Sequence, residues 1–311
     1  MTSNLPRSAS SSLWQPNRQL NKSVEWFVKI LFGVFAMVSV ATTIGIVLPL
    51  VFEEFVFFQE VSLWQFLTDR EWTPLFAQKK FGIFVLIGAT VLTSFIAILV
   101  ALPVGLMAAI YLSEYANPAL RKWLKPALEI LAGVPSVVFG YFALLTVTPF
   151  LQLFVPGLQG FNGLSAGLVL GVSIIPLVAS LSEDSIYSVP RSLRDGSYAL
   201  GTTKRETITS VVLPAALSGI VASFILAVSR AIGETMIVTL AAGQNPRMTL
   251  NPLVPIQAMT SYIVQVSLGD TPVGSLAYKT IFAVGMTLFL MTLILNVLSF
   301  WVVRRFREKY D

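Results

Sequence analysis

The chain contains no cysteine and no histidine. Those two absences remove disulfides, thiol nucleophiles, Ser-His triads, haem ligation and the usual zinc sites. Charge is scarce as well: 12% of the 311 residues are Asp, Glu, Lys or Arg, about half the roughly 25% of an ordinary soluble domain. Such a chain cannot supply the polar surface of a water-soluble fold of this length. A soluble enzyme, a nucleic-acid binder and a disordered tail protein are therefore excluded. No Gly-x-x-x-x-Gly-Lys-Ser/Thr sequence occurs, and no Gly-Lys pair at all. The chain thus lacks a P-loop, and any ATP hydrolysis has to come from another polypeptide. Nothing in it calls for a cofactor or a metal, and no soluble binding domain is present to capture a substrate.

What the chain has instead is apolar length. Hydrophobic residues make up 55% of it, and the mean hydropathy is +0.77. Six runs are long enough to cross a bilayer: 26–51, 83–112, 127–154, 163–182, 211–242 and 276–303. A helix needs about 20 residues for a hydrocarbon core of about 30 Å, so the longer runs must tilt, kink or extend past the lipid. Pro103, Pro135 and Pro176 lie inside three of them, which predicts bent helices packed on neighbours. The first run exceeds the 7–15 residues of a signal-peptide core, so it reads as a retained span after a flexible, polar tail at 1–24. No tandem repeat is visible, and 25–311 reads as one membrane domain.

The net charge of +5 is distributed as a topology signal. Fifteen of the 21 basic residues fall in the tail with the start of the first run, the second and fourth loops and the C-terminus; five fall on the opposite side, and Arg230 lies within a run. That asymmetry predicts both termini in the cytoplasm. Of the external segments, 243–275 is long and carries Pro246, Pro252, Pro255 and Pro272. It is expected to contain a short amphipathic helix near 256–266.

Three places could carry function. The cytoplasmic loop 183–210 is polar, yet Leu193, Ser197 and Leu200 fall at helical spacing. Such a helix can dock into a partner groove, or it can be a plain connector. Within the fifth run, Arg230 and Glu234 stand four residues apart and would share a helix face. A lone charge there costs at least about 2.5–3.5 kcal/mol. The two either neutralise one another or line an anion pathway, to which Arg offers a planar fork. Counted from Pro214 at 1.5 Å per residue, Arg230 falls in the outer half of the bilayer. Glu129 is within one turn of Lys125, which predicts a surface ion pair.

The loop resembles the coupling motif of ABC-importer permeases: Glu-Ala-Ala, three residues, Gly, nine residues, Ile-x-Leu-Pro. Here Asp195-Gly196-Ser197 stands at the first element, Gly201 at the Gly and Val211-Val212-Leu213-Pro214 at the last. The spacing matches throughout; Asp, Gly-Ser and Val depart in identity. The run Ser229-Arg230-Ala231-Ile232-Gly233-Glu234-Thr235-Met236 resembles the phosphate-specific members more closely. So do Leu131-Ala-Gly-Val-Pro135-Ser136-Val-Val-Phe-Gly140 and the external Leu63-Trp64 and Glu71-Trp72. The external feature is similar to the first of the two permease subunits, the PstC type, from about Val24 onward.

The resemblance implies an all-α, six-span protein of the type I ABC-importer permease fold, multi-pass in the bacterial inner membrane. It implies transport of inorganic phosphate by alternating access, with Arg230 and Glu234 in the pathway. Asp195, Gly196, Ser197, Ala199, Leu200 and Gly201 would contact the ATPase. The implied partners are a second permease (PstA type), an ATP-binding subunit dimer (PstB type) and an external phosphate-binding protein (PstS type), with phosphate, membrane lipid and no nucleic acid. Sulfate or molybdate as the substrate, or an ion-coupled secondary transporter working alone, are the alternatives.

Overall fold

A computed structural model of the chain describes residues 18–306, with side chains placed for 22–301. The expected tail at 1–24 lies mostly outside the described residues. In order the helices are α1 (Arg18–Glu60), α2 (Leu63–Thr68), α3 (Phe84–Ile110), α4 (Pro118–Ala132), α5 (Ser136–Phe142), α6 (Thr148–Gln152), α7 (Gly163–Tyr187), α8 (Arg191–Ala199), α9 (Lys204–Thr207), α10 (Leu213–Gly233), α11 (Met236–Ala241), α12 (Met259–Leu268) and α13 (Leu276–Phe306). Wider i→i+5 turns, Tyr111–Tyr115, Ala143–Val147 and Ile208–Val212, extend α3, join α5 to α6 and join α9 to α10. No strand occurs among the described residues beyond one isolated bridge, Trp72 with Phe81. The chain divides into two units, 1–52 and 53–311. The first contributes most of α1, and the second holds the end of α1 and the helices from α2 to α13.

Among the described residues five helices are long and apolar enough to cross a membrane, and up to six if one bent pair counts as a single span. That pair is the run expected at 127–154. α4 ends at Ala132, and the chain resumes at Ser136 at 87° to it. Pro135 is the cause: it has no N–H to donate and disfavours helical geometry in the residue before it. The run expected at 211–242 is also interrupted. It is helical from Lys204 to Gly233, opens at Glu234 (ψ 132°), and closes again only over Met236–Ala241. The external helix expected near 256–266 is α12, which begins at Met259.

α3 and α7 form the centre of the second unit, and small residues set their separation, as they do where lipid offers no hydrophobic drive between helices. A Cβ on Gly171 would stand 2.7 Å from the Ala97 carbonyl oxygen, and one on Gly167 would stand 2.7 Å from the Ile96 Cβ. Ala97, Ala101, Ala166, Leu170 and Val178 fill the same seam, all fully buried. Sharp starts are fixed by side chains: Asn117 accepts from the Leu120 N–H at 2.7 Å, and Asn162 accepts from that of Ser165 at 2.7 Å. A second cluster is aromatic. Phe57, Phe66, Trp72 and Phe81 pack with Tyr262, whose ring meets Trp72 edge-on at 5.1 Å. The Tyr262 hydroxyl lies 2.6 Å from that of Thr280, which ties α12 to α13.

The helix seam yields a contrast. Gly171→Ala should push α3 and α7 apart and cost about 1–3 kcal/mol, the range of an overpacked core. Gly88→Ala, on α3 with nothing within 4 Å of its Cβ, should be neutral. Thermal midpoints of the purified chain in one detergent separate the two; equal midpoints would contradict the seam.

Candidate functional site

The loop at 183–210 is a built element. α7 runs to Tyr187, Pro190 precedes α8, and α8 ends at Ala199. Arg194 pins its start. The guanidinium donates to the carbonyl oxygens of Ile186 (2.8 Å), in the last turn of α7, and Val189, in the corner that follows it. It also bonds Glu114 at 2.8 Å, in the turn that extends α3. One side chain therefore joins α3, α7 and α8. Nearby, Lys204 stands over the Tyr115 ring at 4.6 Å.

The far end of α8 closes on hydroxyls. Ser197 Oγ is 2.7 Å from Thr202 Oγ1 and 3.0 Å from Thr207 Oγ1. Gly201 turns the chain at φ +80°, in the left-handed region that favours glycine. Thr203 and Glu206 then form a reciprocal capping box over α9. The Thr-x-x-Glu spacing is a signal that the sequence carried. Of the six residues expected to meet an ATPase, Asp195, Gly196, Ala199, Leu200 and Gly201 are exposed, and Ser197 is buried. Leu200 does not share the inward face of Leu193 and Ser197. The helix has ended one residue earlier, so Leu200 projects outward, 85% exposed.

A second set of charges lies beside this element. Glu183 has 1% of its side chain exposed and is held by Arg121 and by Lys125, the latter at 2.6 Å. Lys125 also reaches Asp184 at 2.9 Å, and Arg121 stacks over Tyr187 at 4.4 Å. Lys125 is thus not paired with Glu129, contrary to expectation: α4 presents Lys125 to the carboxylates of α7. These partners are about 60 residues apart in sequence, and only the packing of α4 on α7 brings them together.

Arg230 and Glu234 do not pair either. Among the described residues no carboxylate lies within 4.0 Å of the Arg230 guanidinium. An i,i+4 contact needs a continuous helix, and α10 stops at Gly233. Glu234 instead turns its carboxylate onto the next segment. Oε1 accepts from the backbone N–H groups of Met236 (3.1 Å) and Ile237 (3.4 Å), and the Glu234 carbonyl accepts from Thr260 Oγ1 at 2.8 Å. It is the cap of α11 and its tie to α12.

Arg230 lines a cavity of about 230 Å³ with Glu129, Ser173, Pro176, Leu177 and Ser180. Its place along the bundle follows from the register of α10 on α7. Ser182 and Ser223 hydroxyls are 2.7 Å apart, and a Cβ on Gly219 would meet Ser185. α10 therefore runs antiparallel to α7 in a register that sets Arg230 level with the middle of α7. The helix begins ten residues before Pro214, at Lys204.

Residues 101–310 match the family model described as the binding-protein-dependent transport system inner membrane component. The chain is 34% identical over 238 residues to the probable ABC transporter permease protein YqgH of Bacillus subtilis, covering 76% of this chain and 77% of that one. It is 34% identical over 259 residues to the phosphate transport system permease protein PstC of Mesorhizobium japonicum, covering 77% and 78%. Among solved structures, a permease chain from a bacterial ABC transporter involved in the import of alginate superposes with a TM-score of 0.64 at 15% identity, over 93% of this chain and all of that one. A chain of the MetNI methionine ABC transporter gives 0.53 at 19% identity, over 73% and 95%. These two likenesses are of fold.

The cap assigns Glu234 a role that its charge does not require. Glu234→Gln keeps an acceptor oxygen and should leave the thermal midpoint within about 1 °C. Glu234→Ala should lose about 1 kcal/mol, as cap removals do. A larger loss for Gln than for Ala would contradict the assignment.

Proposed function

The chain belongs to the family of binding-protein-dependent transport system inner membrane components, and from that premise we propose the route by which it moves its substrate. It is the permease subunit of a phosphate ABC importer, a multi-pass membrane protein that transports and is not itself an enzyme. Arg230 receives the anion in mid-bundle. The observation that carries this is a guanidinium with no carboxylate partner, open to a small cavity beside the hydroxyls of Ser173 and Ser180. A fork of five donors suits a tetrahedral oxyanion, and an arriving anion supplies the direct contact that Glu129, the carboxylate in the cavity wall, does not make. Glu234 acts on the pathway through α11 and α12.

The drive comes from separate subunits. α8 offers its exposed side, with Asp195, Ala199 and Leu200, to the groove of an ATP-binding subunit dimer of the PstB type. Arg194 then passes a displacement of α8 to α3 through Glu114 and to α7 through the Ile186 carbonyl. A second permease of the PstA type completes the pathway, and an external binding protein of the PstS type delivers phosphate to the loops around α12. Both termini lie in the cytoplasm.

Uptake of labelled phosphate in cells lacking other phosphate importers tests the reading. Arg230→Lys keeps the charge and loses the bidentate fork, and uptake should fall at least tenfold at unchanged membrane abundance. Excess unlabelled sulfate should leave the parent rate unchanged. Uptake by Arg230→Lys equal to the parent would remove Arg230 from the pathway, and competition by sulfate would change the substrate.

A further inference from the structure

At the opposite end of α4 from Arg230 lies a larger cavity, about 670 Å³, between α4, the turn that extends α3, and the corner from α7 to α8. Ser113, Arg121, Lys122, Lys125 and Arg191 line it, with Glu129 the one carboxylate in its wall. Arg121 and Lys125 are engaged by Glu183 and Asp184. Lys122 and Arg191 have no carboxylate within 4.0 Å among the described residues. The Ser113 hydroxyl is buried without a hydrogen-bond partner. Basic residues in a cytoplasmic loop follow from topology alone. Topology does not explain why two free cations and an orphaned buried donor converge on one cavity, since a buried hydroxyl without a partner is destabilising.

We propose that this cavity binds a phosphoryl oxyanion, held by Lys122 and Arg191 and by a hydrogen bond from the Ser113 hydroxyl. Only an acceptor satisfies all three groups at once, and a tetrahedral anion accepts in several directions. Two sources offer that chemistry: inorganic phosphate on its way to the cytoplasm, and the headgroup of an anionic lipid in the inner leaflet. Glu129 lines this cavity and the one that holds Arg230, so an anion released inward from Arg230 would meet this site next. The proposal takes its cytoplasmic orientation from the function proposed above, and binding here is measured apart from transport.

The absence of native cysteine makes the test direct. Ser113→Cys in the full chain, alone and combined with Lys122→Gln and Arg191→Gln, is placed in nanodiscs of phosphatidylcholine or of phosphatidylcholine with phosphatidylglycerol. The rate of maleimide reaction is read with inorganic phosphate and with chloride at equal ionic strength. Slowing of about threefold or more by phosphate in phosphatidylcholine, lost on neutralising Lys122 and Arg191, assigns the site to free phosphate. Slowing by phosphatidylglycerol, with no further effect of phosphate and the same loss, assigns it to a headgroup. No slowing by either, slowing that survives neutralisation, or a thiol that never reacts in phosphatidylcholine overturns the proposal. Phosphate uptake by the parent chain in cells is measured alongside: if it is intact while both arms are negative, only this site fails, and if it is absent, the transport reading fails.

Discussion

A cation with no carboxylate in contact, level with the middle of α7, is the constraint around which the rest is arranged. An unpaired arginine at that depth costs at least about 2.5–3.5 kcal/mol, and a carboxylate one turn away on a continuous helix would relieve it. The chain has the carboxylate, Glu234, at the right spacing, and the backbone withholds it by ending α10 at Gly233. Glu234 is spent on the amides of Met236 and Ile237. Polar backbone freed inside a membrane must be satisfied internally, and this break is satisfied by the very side chain that would have neutralised Arg230. The hole left in the electrostatics is what a translocated anion can fill.

The end of the second unit that carries α8 shows the opposite use of charge. Glu114, Glu183 and Asp184 are all matched to cations from neighbouring segments. Arg194 is the strictest case, because it joins a carboxylate of the turn after α3, a carbonyl in the last turn of α7 and one in the corner before α8. With its start pinned there and its far end closed by the Ser197, Thr202 and Thr207 hydroxyls, α8 is fixed on one side and bare on the other. A partner that grips the bare side therefore pulls on α3 and α7 together.

Much of this could be read from the chain. Apolar runs marked the spans, since lipid imposes a length that soluble cores do not. The motif from Asp195 to Pro214 marked a segment that is a built element, α8 to α9, and the rarity of intramembrane charge drew attention to Arg230. What could not be read was set by backbone breaks and by distant packing. Pro135 lay in plain view inside a run, yet an intramembrane proline bends a helix by an amount that neighbours decide. Local spacing assigns Lys125 to Glu129; the partners it has, Glu183 and Asp184, are brought by a helix some 60 residues away in sequence. Arg230 and Glu234 seemed to share a face because spacing assumes an unbroken helix. Leu200 was grouped with Ser197 for the same reason. The last two expectations extend a regular element past the point where the chain stops it.

Glu129 is the carboxylate that shares the Arg230 cavity, and it offers the sharpest contest between an anion pathway and internal neutralisation. The deciding measurement is labelled phosphate uptake, with membrane abundance in parallel, by the variant in which Arg230→Gln and Glu129→Gln are combined. If the arginine serves the anion, the doubly neutral chain inserts at the parent level and carries no phosphate. If the two charges exist only to balance each other across the cavity, removing both leaves no lone charge behind, and near-parental uptake would contradict the account.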